Sequence, residues 1–199
     1  MTELGLATVR AGNLHRRVVP SLIAACLCSL VLVTSGAANA EDKAPLILDS
    51  YETALKLKQA GNCEDAVKIL EQLAAQGHGH ERAGLNLAQC KLVLAEKAAT
   101  PEAAHDMLQD AVRLTILAAN AGLDDAQIQL VKLTINGGHF KVEPVEAGAW
   151  YLIWKRNPTR LQLGGSAIDR KLVEKLQSTL TPDDWNKAQA QADAFVPQQ

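Results

Sequence analysis

The chemically capable side chains of this sequence occur in small, separate groups. His78 and His80 flank a single glycine, and two imidazoles in one turn amount to part of a metal site. Zinc sites use three or four protein ligands, so this pair alone is too small a set. His105 and His139 are isolated in the sequence, which is typical of surface or loop positions. We therefore expect no metal site and no cofactor.

Two charged groups have simpler interpretations than catalysis. Asp183 and Asp184 follow Thr181-Pro182, and acidic residues in a first helical turn interact favourably with the helix dipole. The pair therefore predicts a helix start rather than a general acid and base. The second group is basic and consists of Lys155, Arg156 and Arg160. It fits either solvated helix ends or an anion site.

The sequence contains no signature of a common catalytic class. It has no Gly-x-Ser-x-Gly, no Ser-x-x-Lys, no His-Glu-x-x-His and no phosphate-binding loop. Gly164-Gly165-Ser166 predicts a turn. We therefore expect no catalytic residues and a protein that is not an enzyme.

The first forty residues predict export. Three arginines in the first 17 residues precede an apolar stretch over 18–33, and the small-residue triplet Ala38-Asn39-Ala40 follows. The apolar stretch is shorter than the roughly 20 residues of a membrane-spanning helix. We expect residues 1–40 to be a signal peptide cut after Ala40, which makes the protein periplasmic or secreted. The alternatives are an uncleaved anchor and, with a poorer match, a lipoprotein cut before Cys26.

Charge and composition narrow the class of partner. The protein has 20 basic and 22 acidic residues among 199, a net charge of −2, and no basic stripe of the kind that binds nucleic acid. No apolar run after Val33 is long enough to span a membrane. Alanine and leucine are abundant and aromatic residues are few, which favours helices over sheet.

Two cysteines, Cys63 and Cys90, remain after removal of the signal peptide. An even number of cysteines in an oxidising compartment favours a disulfide. If the helices that carry them form a hairpin turning near His78, the two positions lie within about one helical turn of each other. The bridge would close a loop of about 27 residues and contribute roughly 3 kcal/mol. The alternative is two separate buried thiols.

Apolar spacing and capping residues predict eight helices and no strand. Their expected ranges are about 49–60, 62–76, 80–97, 100–120, 124–136, 144–157, 166–178 and 181–195. Asp49, with Glu52 three residues later, is expected to cap the first helix, and Pro158 to follow the end of the sixth. The short connections predict four antiparallel hairpins.

One pattern occurs twice. A helix end, a glycine turn and a new helix with a small, apolar face occupy residues 73–88 and again 117–130. The two turn glycines, Gly77 and Gly122, are about 45 positions apart, a spacing typical of helical repeat arrays.

The same residues resemble the Sel1-like repeat family, relatives of the tetratricopeptide repeats. The resemblance rests on Ala-Ala-x-Gly-His and x-Ala-x-x-Asn-Leu-Ala within 74–88, on residues 118–130, on Gly137, and on Ala147-x-x-Trp150-Tyr151. The sequence departs from the family at His139, where a glycine is usual, and at 96–102, which replace the glycine loop of the first unit.

The resemblance implies an all-α fold, a short α-solenoid of antiparallel helix hairpins over residues 41–199 that ends with closing helices in 166–195. It also implies a non-enzymatic periplasmic adaptor or regulator that binds another protein or peptide of the cell envelope. Trp150, Tyr151 and Trp154 are candidates for partner binding, with core packing as the alternative. The other functions considered are a cell-wall or small-molecule binding protein or enzyme, and a secreted host-interaction or structural envelope protein.

Overall fold

The computed structural model describes residues 43–138 and 140–198, which form nine α-helices and no strand. The predicted signal peptide, its cleavage site and His139 lie outside the described residues. The helices are α1 (Lys43–Gln59), α2 (Cys63–Ala74), α3 (Glu81–Ala95), α4 (Pro101–Asn120), α5 (Asp124–Asn136), α6 (Pro144–Arg156), α7 (Pro158–Leu163), α8 (Arg170–Thr179) and α9 (Pro182–Asp193).

From α1 to α6 the helices pack in sequence order, which confirms the predicted all-α, solenoid-like fold. The closing helices α8 and α9 both pack on α6 rather than on each other, so the prediction of a fourth hairpin is wrong. From α1 to α6 each helix packs against the next, and α1 also contacts α3. Lys91 of α3 pairs with Glu71 of α2 and with Asp110 of α4, so α2 and α4 lie on the same side of α3. At the end of the array α8 contacts α5 and α6, whereas α9 packs against α6.

Local sequence explains most helix ends. The side chains of Asn62 and Thr100 accept backbone hydrogen bonds at the starts of α2 and α4, and Thr181 forms a capping box with Asp184 at the start of α9. The repeat glycines Gly77 and Gly122 have φ values of 81° and 88°, a backbone conformation that favours glycine. The predicted turns are therefore present.

The first helix differs from the prediction. It begins at Lys43, so Asp49 lies inside α1 and does not cap it. The Asp49 carbonyl instead accepts a hydrogen bond from the Thr53 hydroxyl at 2.8 Å. The Asp-x-x-Glu pattern that suggested a helix start therefore falls within the interior of a helix.

A short helix, α7, occupies a segment in which the sequence predicted no helix. Asn157 caps it by accepting from the Arg160 N–H at 3.2 Å, Pro158 occupies its first turn, and Gly164 ends it with a φ of 70°. Proline at a first helical position is favourable because its missing N–H has no partner to lose there. Pro158 therefore begins a helix as well as following the end of α6.

The predicted helix from Ser166 begins later, at Arg170. Ser166 donates its backbone N–H to the Asp124 carboxylate at 2.7 Å and its hydroxyl to Asp125, and both acids belong to the first turn of α5. These bonds hold the segment before α8 against α5. Asp169 then caps α8 by accepting from the Lys171 N–H at 2.9 Å.

The core forms two clusters. The first joins α1 to α4 and includes the fully buried Leu70 and Cys90; the second joins α3 to α9 and includes Leu130, Ile135 and Leu176. Among the described residues, every helix is too short or too polar to cross a membrane.

Candidate functional site

The three aromatic residues suggested for partner binding lie in the packing between α6 and the C-terminal helix. Trp150 and Trp154 are buried, and Tyr151 is half-buried. The Tyr151 ring stacks on Trp154 with centroids 6.0 Å apart and meets Trp185 of α9 edge-on at 6.2 Å. Of the three, Tyr151 therefore retains the most accessible surface.

The basic residues Lys155, Arg156 and Arg160 lie at and just after the C-terminal end of α6, next to these aromatic residues. The Arg160 guanidinium lies over the Trp154 ring, 4.2 Å from its centroid, and donates to the carbonyls of Trp154 and Lys155. Arg156 pairs with Asp193 of α9 at 2.5 Å. Two of the three basic side chains are therefore engaged with the helix ends around α6, while Lys155 is exposed.

His78 and His80 lie at the turn that leads into α3. The His78 ring nitrogen lies 2.7 Å from the Glu81 carboxylate, which also accepts from the Gly79 N–H at 3.0 Å. A groove of about 450 Å³ opens beside this turn, lined by the two histidines and by Leu114 and Leu117 of α4, among others. Within residues 43–138 and 140–198, no three His, Cys, Asp or Glu side chains are placed to hold a metal ion.

Cys63 and Cys90 are both buried and are free thiols in this structure. Both belong to the core cluster that joins α1 to α4, and burial, together with a hydrogen bond with Cys63, raises the pKa of Cys90 to about 12. A thiol with that pKa is protonated at neutral pH and is a poor nucleophile. The structure therefore places the two predicted cysteines in one core cluster, and their disulfide stays a prediction.

A further polar group is not indicated by any sequence motif. We define the α1–α3 polar cluster as Tyr51, Lys58, Arg82, Asn86 and Gln89. Tyr51 and Lys58 are seven residues apart on α1, and the other three follow one face of α3. Because α1 contacts α3, these two faces meet.

Lys58 is the centre of the α1–α3 polar cluster. Its ammonium donates to Asn86 Oδ1 at 2.5 Å and to Gln89 Oε1. Asn86 Nδ2 in turn donates to the Tyr51 hydroxyl and to the Arg82 carbonyl, both at 2.9 Å. The lysine is thus held in position by neutral groups of the neighbouring helix.

The electrostatics of Lys58 are unusual for this protein. None of the ion pairs within the described residues involves Lys58, although the side chain is half-buried. Burial lowers its pKa below the ordinary value, opposed by the nearby Cys90, Cys63 and Asp125. Lys91, whose side chain is 14% exposed, instead has two carboxylate partners, Glu71 and Asp110. Lys58 has no carboxylate within ion-pair distance among the described residues, which makes it a candidate functional position.

Tyr51 and Arg82 extend the cluster toward α5. Burial raises the pKa of Tyr51, while Arg82 and the hydrogen bond from Asn86 act in the opposite direction. Arg82 also reaches the Asp125 carboxylate of α5 at 3.8 Å. The helices α1, α3 and α5 therefore share one polar face, which we call the α1–α3 face after its principal helices.

The residues of this site come from two helices whose relative register the sequence does not determine, so no sequence pattern predicts the site. Asn86 is recognisable only as a repeat-motif residue, and Lys58 only as one of many charged positions. The spacing of Arg82, Asn86 and Gln89 at i, i+4 and i+7 is the available signal, since it places three polar groups on one helix face.

Comparison of the sequence with protein-family models, with curated proteins and with solved structures gives no match.

Proposed function

We propose that this protein is a non-catalytic helical-repeat adaptor that binds another protein or peptide through its α1–α3 face. The observation that carries the proposal is Lys58, a half-buried cation that two amide side chains hold and that has no carboxylate within ion-pair distance among the described residues. Burying a charge is costly unless it is paired, so a partner that supplies the missing group would gain binding energy there.

The remaining support comes from architecture and sequence. Helices stacked in sequence order create extended surfaces, and repeat proteins use such surfaces for binding. The Sel1-like motifs favour the same class of function, and the N-terminal signature favours a periplasmic or secreted location. The proposed role is an adaptor or regulator of the cell envelope.

The test is crosslinking in cells of the tagged protein, followed by mass spectrometry of the proteins recovered with it. Three forms are compared: the unaltered protein, Lys58→Met and Lys56→Met. Lys56 is exposed and two residues away, so it lies on the other side of α1 and provides a matched loss of one positive charge.

We expect a reproducible envelope protein with the unaltered protein and with Lys56→Met, and a reduced yield with Lys58→Met. Recovery of the protein as a lone monomer in all three forms would contradict the adaptor function and favour small-molecule binding. A melting temperature that rises with added cell-wall fragments would support that outcome.

A further inference from the structure

The unused hydrogen-bonding groups of the α1–α3 polar cluster are donors. The Lys58 ammonium has three N–H donors, of which the two amide oxygens accept two. Gln89 accepts through its oxygen, and its side-chain nitrogen has no acceptor among the described residues. Tyr51 accepts from Asn86, which leaves its hydroxyl proton to donate. A ligand that fits this arrangement must supply several acceptors.

The charges near the cluster favour a singly charged anion. Lys58 and Arg82 are positive, and Asp125 lies beside Arg82 at 3.8 Å. Asp125 also accepts a hydrogen bond from the Ser166 hydroxyl, which holds it against the segment before α8. Asp125 also acts electrostatically on Lys58, so the two positive side chains share one carboxylate and the cluster keeps a net charge of about +1.

We propose that the α1–α3 polar cluster binds one carboxylate of a partner peptide, with Lys58 as its ion-pair partner and the Gln89 amide and Tyr51 hydroxyl as additional donors. The inference rests on the proposed function and specifies its chemistry. A carboxylate supplies two oxygens with about four acceptor sites and a single negative charge, which matches both the donors and the charge. Either the terminal carboxylate of a peptide or an acidic side group within it can provide these oxygens.

The test is a nuclear magnetic resonance titration of the exported protein, followed at the side-chain amides of Asn86 and Gln89. Three small probes are used: N-acetyl-dialanine with a free terminal carboxylate, N-acetyl-glutamic acid amide with only its γ-carboxylate, and N-acetyl-dialanine amide with neither. We expect saturable shifts with at least one acid and none with the neutral amide. The acid that saturates at lower concentration identifies the source of the carboxylate.

Two variants and a control make the test specific. Lys58→Met is expected to weaken binding of the acid at least about tenfold, because it removes the charged partner, whereas Lys56→Met leaves binding unchanged. Gln89→Glu places a carboxylate beside Lys58 within the protein and is expected to abolish the shifts even if Lys58→Met fails to fold.

Absence of saturable shifts with both acids, or equal shifts with the neutral amide, would overturn the carboxylate assignment. Unchanged binding in folded Lys58→Met would also overturn it, as would inorganic phosphate saturating the same resonances at lower concentration than either acid. If neither acid gives saturable shifts while Lys58→Met still captures the partner in cells, the adaptor function stands and the carboxylate site does not. If no partner is captured at all, the proposed function itself fails.

Discussion

Two glycines inside helices, Gly84 in α3 and Gly148 in α6, provide opposite tests of the helix packing. An added Cβ at Gly84 would meet Leu114 Cδ2 at 3.6 Å, an ordinary van der Waals contact. At Gly148 it would lie 2.5 Å from Leu180 Cδ2 and 3.0 Å from Ala188 Cβ. The same substitution therefore fits at one site and forces movement of packed side chains at the other.

The expected effects follow from helix propensity and overpacking. Alanine is favoured over glycine in a helix interior by about 1 kcal/mol, so Gly84→Ala is expected to raise the free energy of unfolding by that amount. Gly148→Ala has the same gain in helix propensity, but overpacking against Leu180 and Ala188 costs about 1–3 kcal/mol and offsets it. Because the propensity gain is common to both, the two variants should differ by about 1–3 kcal/mol.

The measurement is urea unfolding followed by far-ultraviolet circular dichroism, with thermal unfolding in parallel. A difference of about 1 kcal/mol corresponds to roughly 2–4 °C in melting temperature for a protein of this size. We expect Gly84→Ala to unfold at higher urea and higher temperature than the unaltered protein, and Gly148→Ala to be the less stable of the two variants. Equal stabilisation by both substitutions would refute the close packing of α6 against α9.

Three further predictions concern buried polar groups. Burial raises the pKa of Glu146, and a hydrogen bond from the Trp150 indole acts against this shift. The charged carboxylate is therefore disfavoured in the folded protein. The stability that protonated Glu146 contributes at low pH is lost as the pH rises through its folded-state pKa. Glu146→Gln is therefore expected to raise the free energy of unfolding at neutral pH and not at acidic pH, as measured by urea unfolding at both pH values. A variant that is less stable than the unaltered protein at neutral pH would contradict this. Asn157→Ala is expected to cost about 1–3 kcal/mol in the same unfolding assay, because it removes the α7 cap and the hydrogen bonds to the Gly122 carbonyl and the buried Gln127 amide, and a change below about 0.5 kcal/mol would count against this group of bonds. If the proposed export is right, peptide mapping of the protein isolated without reductant is expected to show Cys63 linked to Cys90 and no free thiol before reduction, whereas free alkylation of both would exclude the bridge.

Helix content and most helix ends are predictable because their signals are local. Thr100 followed by proline, and Thr181 followed by proline and two acids, cap α4 and α9 as their sequences indicate. Gly77 and Gly122 occupy turns that need a positive φ, so the repeat can be recognised from them. Each of these features depends on residues within about one helical turn.

Features that depend on distant contacts are not predictable in this way. The segment from Ser166 has the sequence of a helix start, and it is instead held by Asp124 and Asp125, about forty residues earlier. The α1–α3 polar cluster likewise requires the register between Lys58 and Gln89 on two helices. Sequence spacing alone does not fix such a register, so the site can be recognised only after the helices are placed.

Site-specific photo-crosslinking in cells examines binding through the α1–α3 face at single positions. One crosslinking amino acid replaces Val93, an exposed α3 residue one turn beyond Gln89, and in a second strain it replaces the exposed Gln72 of α2. We expect a covalent adduct with one envelope protein at position 93 and none at position 72. An adduct at position 72 without one at position 93 would contradict it.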